Sequence, residues 1–315
     1  MGDRKIVRNC IYCDSDSYKK MFTYTYDYLT KVYKNVSQDY IKQIGWGPET
    51  SSTIVKCKKC GASYVRDVFP DFEQTKGNLS RLEDVGAGKV SIYKGSDVMI
   101  IHTILSLVHN NLPGRNIKFL DVGAGSGTLS NLARAMGIRD VFAFDPFTQC
   151  QEEYYKKYNY PGINFIRNRD EVSLHAPFDV VVMQAVFEHL LDPKEMLLSI
   201  NEKMTKGGYF YLNNPIPNFG KEIDELKQAK TIVKKDRIGH YHPGHINFLN
   251  SILFKKLLQE TGFEVLSLTA KKAVPFSRGM MRQYFRSNII ETARMLLNVS
   301  GAPYTRYVFI VRKMK

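Results

Sequence analysis

The 315-residue sequence contains no apolar run long enough to span a bilayer. Its first residues, Met1-Gly-Asp-Arg-Lys5, lack the apolar core of a secretory signal. A cytoplasmic protein is therefore expected. Cysteine is sparse, five in the whole chain, which excludes a small disulfide-stapled scaffold. Tryptophan occurs once, as Trp46 in Gly45-Trp-Gly-Pro48. Acidic residues almost vanish at the C-terminal end: from Lys271 to Lys315 there are ten Lys/Arg and one acid, Glu291. The whole chain carries a net charge of +14, which suits a solvated basic face or an anionic partner. Hydrophobic residues at 43% and aromatics at 12% exclude a disordered chain. The length allows one sizeable domain and a smaller one.

Four of the five cysteines fall into two doublets, Cys10-Ile-Tyr-Cys13 and Cys57-Lys-Lys-Cys60, the second followed by Gly61. Each C-x-x-C loop can place two thiolates on one ion, so the pair of doublets predicts a closed four-sulfur zinc site. Such a site has no open position for water and is structural. A redox pair is the rival reading, and two doublets outside any thioredoxin-like context argue against it. The tyrosine-rich stretch from Thr23 to Thr53 should form its own hairpin or helix. Cys150 reads as a small buried hydrophobe.

The boundaries follow from these shifts: a zinc-binding module over 1–66, a linker and leading helix over 67–116, and a main domain over 117–315. The leading helix is expected from Ser96 to Leu112, with Val98, Ile101, Ile104, Leu105 and Val108 inward. Val85-Gly-Ala-Gly88 in the linker has no apolar strand before it and reads as a loop.

At the head of the main domain an apolar run (Ile117, Phe119, Leu120, Val122) stops at Gly123, Gly125 and Gly127. Apolar residues at helical spacing follow. Glycine allows a tight strand-to-helix turn and a close ligand approach, and the helix N-terminus offers free N–H groups. Strands then alternate with helices: 141–144, 163–167, 178–183, a turn and strand over 206–212, 262–268 and a closing strand over 304–312. That alternation predicts an α/β fold with a Rossmann-like, doubly wound, mostly parallel seven-stranded sheet. Asp145, with Pro146 after it, ends the second strand where an acid can accept ribose hydroxyls.

The dinucleotide fingerprint G-x-G-x-x-G is not matched, and Asp121 sits just ahead of the first glycine, suited to a cationic ligand. Asp121-Val-Gly-Ala-Gly-Ser-Gly127 resembles the first motif of class I S-adenosylmethionine-dependent methyltransferases. With the cysteine module, the chain is similar to members that act in sugar and surface-polysaccharide biosynthesis. The resemblance implies S-adenosylmethionine as cofactor, held by Asp121, Gly123, Gly125, Gly127, Asp145 and Pro146. Asn168 and Arg169 would lie at the adenine rim, and Gln184 would be a ligand neighbour. It also places His189 of Glu188-His189 near the point of methyl transfer.

His240-Tyr-His-Pro-Gly-His245-Ile-Asn247 resembles the acceptor segment of zinc-containing sugar methyltransferases. His245 with Asn247 is the first choice there, then His242 and His240. A metal site on these three histidines is disfavoured because no carboxylate lies nearby in sequence. The sugar C-methyltransferase pattern is not matched at Val274-Pro-Phe-Ser-Arg278, so oxygen or nitrogen methylation is expected. His189, His242 and His245 are the candidate catalytic groups, since a hydroxyl acceptor needs a base titrating near neutrality.

The expected partner is a small anionic acceptor, a nucleotide-sugar or glycan precursor. Two further classes stay open: an RNA-modifying methyltransferase gripping phosphates with the module and the basic insert 271–304, and a scaffold that only binds the cofactor. Oligomeric state is not encoded in these motifs.

Overall fold

The computed structural model describes residues 6–32, 46–68, 95–111, 114–125, 127–146, 161–166, 168–215, 221–231, 244–271 and 306–314. His240, His242, Cys150, the loop at 85–88 and nearly all of the insert 271–304 lie outside them.

The N-terminal part contains β1 (Ile6–Val7), β2 (Tyr18–Thr25), α1 (Tyr26–Val32), β3 (Ser51–Cys57), β4 (Ser63–Val65) and β5 (Asp67–Val68). The tyrosine-rich stretch thus completes one strand, adds a short helix and begins the next strand. The first Cys doublet sits in a turn ahead of β2, and the second runs from the last residue of β3 into the turn before β4.

The leading helix is α2 (Gly95–Asn111), and the main domain follows with β6 (Lys118–Val122), α3 (Thr128–Ala135), β7 (Asp140–Phe144), β8 (Ile163–Ile166), α4 (Arg169–His175), β9 (Phe178–Gln184) and α5 (Pro193–Glu202). It ends with β10 (Met204–Pro215), α6 (Lys221–Gln228), β11 (Asn247–Phe248), α7 (Ser251–Glu260), β12 (Phe263–Lys271) and β13 (Arg306–Lys313). On α2 the inward residues are Ile100, Ile101, Ile104 and Val108. Val98, expected inward, is exposed.

Seven strands form one sheet in the order β12-β13-β10-β9-β6-β7-β8. Pairs from β8 across to β10 are parallel, and β13 runs antiparallel to both β10 and β12. The expected mostly parallel sheet is therefore observed, closing strand included. Continuous burial explains the strand reading: β9 (Phe-Asp-Val-Val-Val-Met-Gln) is inaccessible on both faces over six residues. One face packs Phe119, Val141, Val180, Val182 and Tyr211 against α2 and α3. The other packs Leu120, Phe142, Val181, Met183 and Phe210 beneath α5 and α7.

From β6 the chain first builds outward through β7 and β8, then crosses back to β9 on the other side of β6. That reversal puts the carboxyl ends of β6, β7 and β9 at the topological switch point, where open α/β sheets bind ligands.

The small sheet has the order β11-β4-β3-β2. Its fourth strand, β11, comes from the main domain: Asn247 pairs with Tyr64 and Phe248 with Ser63. The two parts also share cores. Trp46, Tyr24 and Val65 pack with Ile223, Leu226 and Phe248, while Cys10, Cys57 and Tyr64 join Phe254 and Leu257.

Candidate active site and four-cysteine centre

The glycine turn closes on the end of β7. Gly123 N–H and Ala124 N–H both donate to the Phe144 carbonyl, at 2.7 and 3.1 Å. Asp145, buried at this strand end, accepts from Gly125 N–H at 2.8 Å. Gly123 adopts φ +74°, and a Cβ there would overlap Val186 Cγ2. Gly125, at φ +53°, has no atom within 4 Å of its missing Cβ, so its open side can receive a ligand. Gly127 caps α3 with φ +71°.

Asp121 is buried at the end of β6 and accepts from Ser130 Oγ of α3 at 2.7 Å. This acid thus ties strand to helix beneath the turn. The groups at the turn fit S-adenosylmethionine: a glycine edge open to a backbone approach, with an acid at each neighbouring strand end. One Asp145 oxygen is engaged by the turn itself, and Pro146 beside it is exposed.

Asn168 caps α4 by accepting from Glu171 N–H at 2.9 Å. Arg169 reaches α5, with Glu195 at 3.2 Å and Met196 Sδ at 3.8 Å. Gln184 ends β9 in register with Asn213 of β10, and Ala185 N–H donates to the Asn213 carbonyl.

Immediately beyond, Phe187–His189 forms a one-turn 3-10 helix. Glu188 is 1% exposed, and its Oε1 lies 3.8 Å from His189 Nε2. The His189 ring stands 4.8 Å from the His245 ring, centroid to centroid. His189 Nδ1 meets the Gly244 carbonyl at 2.5 Å. A carbonyl only accepts, so Nδ1 carries the hydrogen.

The carboxylate that the sequence reading missed beside His245 is thus Glu188, supplied by tertiary folding across more than fifty residues. Asn247 is buried and donates its amide to the Phe187 and Leu190 carbonyls at 2.9 and 2.7 Å. Its Oδ1 accepts from Arg8 Nη2 at 2.6 Å. Arg8 was not singled out in sequence. Burial lowers its pKa to about 10, and it remains charged at neutral pH.

All four cysteines of the doublets converge, with sulfurs within 4.8 Å of one another and no disulfide. Cys10 and Cys60 sulfurs lie 3.4 Å apart, and Cys13 and Cys57 sulfurs 3.6 Å. Sulfurs about 2.3 Å from a tetrahedral zinc would stand about 3.8 Å apart, so the donor set fits the ion. At Cys57 burial opposes ionisation. Backbone N–H groups of Cys60 and Lys59, together with the Cys13 and Cys60 side chains, outweigh it and bring the thiol to about 7.

A sequence profile described as "Methyltransferase domain" matches residues 99–268, 170 of the 315 residues. The chain belongs to this methyltransferase family. It is an S-adenosylmethionine-dependent methyltransferase. No curated protein sequence matches the chain.

Solved structures with a similar fold include the [4+2]-cyclase SpnF, at 12% identity and TM-score 0.49, covering 77% of this chain and 94% of that one. An S-adenosylmethionine-dependent methyltransferase from Mesorhizobium loti covers 69% and 98%, at 12% identity and TM-score 0.47. Another from Methanosarcina mazei covers 66% and 97%, at 19% identity and TM-score 0.44. Likenesses this distant carry no argument about the reaction, and one of the three is a cyclase.

Proposed function

We propose that this methyltransferase acts on a hydroxyl, or an amine, of a small anionic acceptor, a nucleotide-sugar or surface-polysaccharide precursor. The observation that carries this reading is the convergence of His189, His245 and buried Glu188 at the sheet end beside the glycine turn. The net charge of +14 favours an anionic acceptor.

S-adenosylmethionine brings a methyl group already activated on a sulfonium, so the protein has mainly to align the acceptor and exclude water. Gly123, Gly125 and Gly127 offer backbone to the cofactor, and Asp121 its charge. Asp145 and Pro146 flank its ribose, Asn168 and Arg169 its base, and Gln184 its amino-acid end. His189 or His245 takes the acceptor's proton, with His242, three residues before His245 in sequence, as a further candidate. Cys10, Cys13, Cys57 and Cys60 hold a structural zinc.

The test is turnover of S-adenosylmethionine with a panel of nucleotide-sugars, read by mass spectrometry as the gain of one methylene on the acceptor. His189→Ala and His245→Ala should each slow it by about 10²–10⁴-fold if the residue is the base. Unchanged rates in both variants would sink the assignment. The rival RNA reading predicts a salt-sensitive gel shift with RNA and no methylated sugar.

A further inference from the structure

We propose that Glu188, His189 and His245 form an open site for a divalent cation of borderline softness, such as Mn²⁺, Co²⁺ or Zn²⁺. Its free coordination positions receive the acceptor's oxygen. This rests on reading the same corner as the acceptor site, and it replaces a free imidazole base with a metal-bound acceptor.

Three observations carry it. The first is convergence: each residue offers one ligand atom, and all three atoms lie within 4.8 Å of one another. His189 Nε2 and Glu188 Oε1 are 3.8 Å apart. Ligands about 2.1 Å from one ion stand about 3–4 Å from each other, so the His189–Glu188 pair already fits and the remaining separations need close by no more than about 1–2 Å.

The second is orientation. Nδ1 of His189 donates to the Gly244 carbonyl, which leaves the lone pair of the neutral ring on Nε2, the nitrogen facing Glu188. A backbone carbonyl on the far nitrogen is how metal-binding histidines are usually fixed in tautomer and angle.

The third is rigidity. Ile246 N–H donates to the Glu188 carbonyl, and Asn247 clamps the Phe187 and Leu190 carbonyls. The two ligand-bearing segments are therefore tied at three points. Val186, two residues before Glu188, lies against Gly123, which places the cluster beside the cofactor turn.

The donor set decides the ion class. Two imidazoles with one carboxylate suit transition ions better than Ca²⁺, and three protein ligands leave positions open. The four cysteines differ on both counts, being soft and closed. A cation here would draw charge from a bound hydroxyl oxygen, so that its proton leaves to water near neutral pH. The oxygen keeps the lone pair that methyl transfer requires.

The test is titration of the full, zinc-loaded chain with Co²⁺ after loosely held metal is removed. One Co²⁺ per chain is expected, giving weak visible bands without the thiolate bands that the cysteines would produce. Binding should weaken at least tenfold in Glu188→Gln and in His245→Ala. His245→Asn serves as a second variant should alanine disturb folding, which thermal unfolding reports.

No Co²⁺ bound below millimolar, or unchanged affinity in the folded variants, overturns the site. Undiminished methyl transfer by cation-free, zinc-retaining protein overturns its role in the reaction. A bound cation without methyl transfer to any acceptor would instead sink the proposed acceptor chemistry and leave the site standing.

Discussion

Gly123 cannot accept a side chain, for two separable reasons. Its φ of +74° lies where L-residues are strained, and an added Cβ would strike Val186. Gly123→Ala should therefore cost about 1–3 kcal/mol in stability and weaken S-adenosylmethionine binding. Thermal unfolding and calorimetric titration would measure both. Adding Val186→Ala relieves the clash and leaves the dihedral strain, so the double variant should recover only part of the loss. Asp145 accepts from Gly125 N–H at the cofactor turn and is the residue proposed above for the ribose. Removing the charge in Asp145→Asn should lower cofactor affinity about tenfold, since a hydrogen bond to a charged group contributes about 1.5–3 kcal/mol.

The segment containing β11 holds three structures together. It adds a strand to the N-terminal sheet, clamps the Phe187–His189 turn and carries His245 toward His189. The buried Arg8–Asn247 bond joins the first of these to the second. Arg8→Met and Asn247→Ala should each destabilise the chain. In a double-mutant cycle by urea unfolding they should couple by about 0.5–3 kcal/mol, because they share one bond. Asn247→Ala should be the more costly, as it also strands the Phe187 and Leu190 carbonyls. It should slow methyl transfer through displacement of His189 and His245, a loss that Arg8→Met shows more weakly.

The joint between the N-terminal part and the main domain is lined with phenols, Tyr12 and Tyr64 buried and Tyr28 half-buried. Tyr28 OH donates to the Leu226 carbonyl, and burial pushes its pKa up to about 12. Burial raises Tyr64 likewise to about 12, and burial together with Glu260 raises Tyr12 further. A folded-state pKa above the unfolded value of 10 means stability that is fully present below pH 10 and lost as pH rises from 10 toward 12. The melting temperature should fall over that window while these phenols stay protonated in the folded chain, their phenolate absorbance rising only toward its upper end.

Shared cores also predict one unfolding transition instead of two. Stripping the proposed zinc with a chelator should therefore lower the melting temperature of the whole chain and reduce S-adenosylmethionine turnover. Calorimetry with and without chelator would check this. An independent low-temperature transition for the cysteine part, with the remainder unaffected, is the contrary result.

Local pattern carried much of this protein. The run Phe178–Met183, short and rich in valine, reads as a buried strand, and the three glycines after Val122 read as a turn. Each C-x-x-C loop pairs two thiols by its shortness, while pairing of β2 with β3, Tyr18 against Cys57, brings one doublet to the other. Apart from that strand pairing, none of this requires knowing what lies across the molecule. Boundaries at 66 and 117 followed composition, yet β11 and the shared cores join the parts, since strand addition leaves no composition signal.

Val98 faces solvent because apolar spacing fixes a helix face only to within a residue or so, and packing chooses the rest. Glu188 beside His245, and Arg8 on Asn247, are pairs far apart in sequence. Only the tertiary fold could decide them, because side chains meet by chain path and burial, neither of which is written in the spacing of residues along the chain.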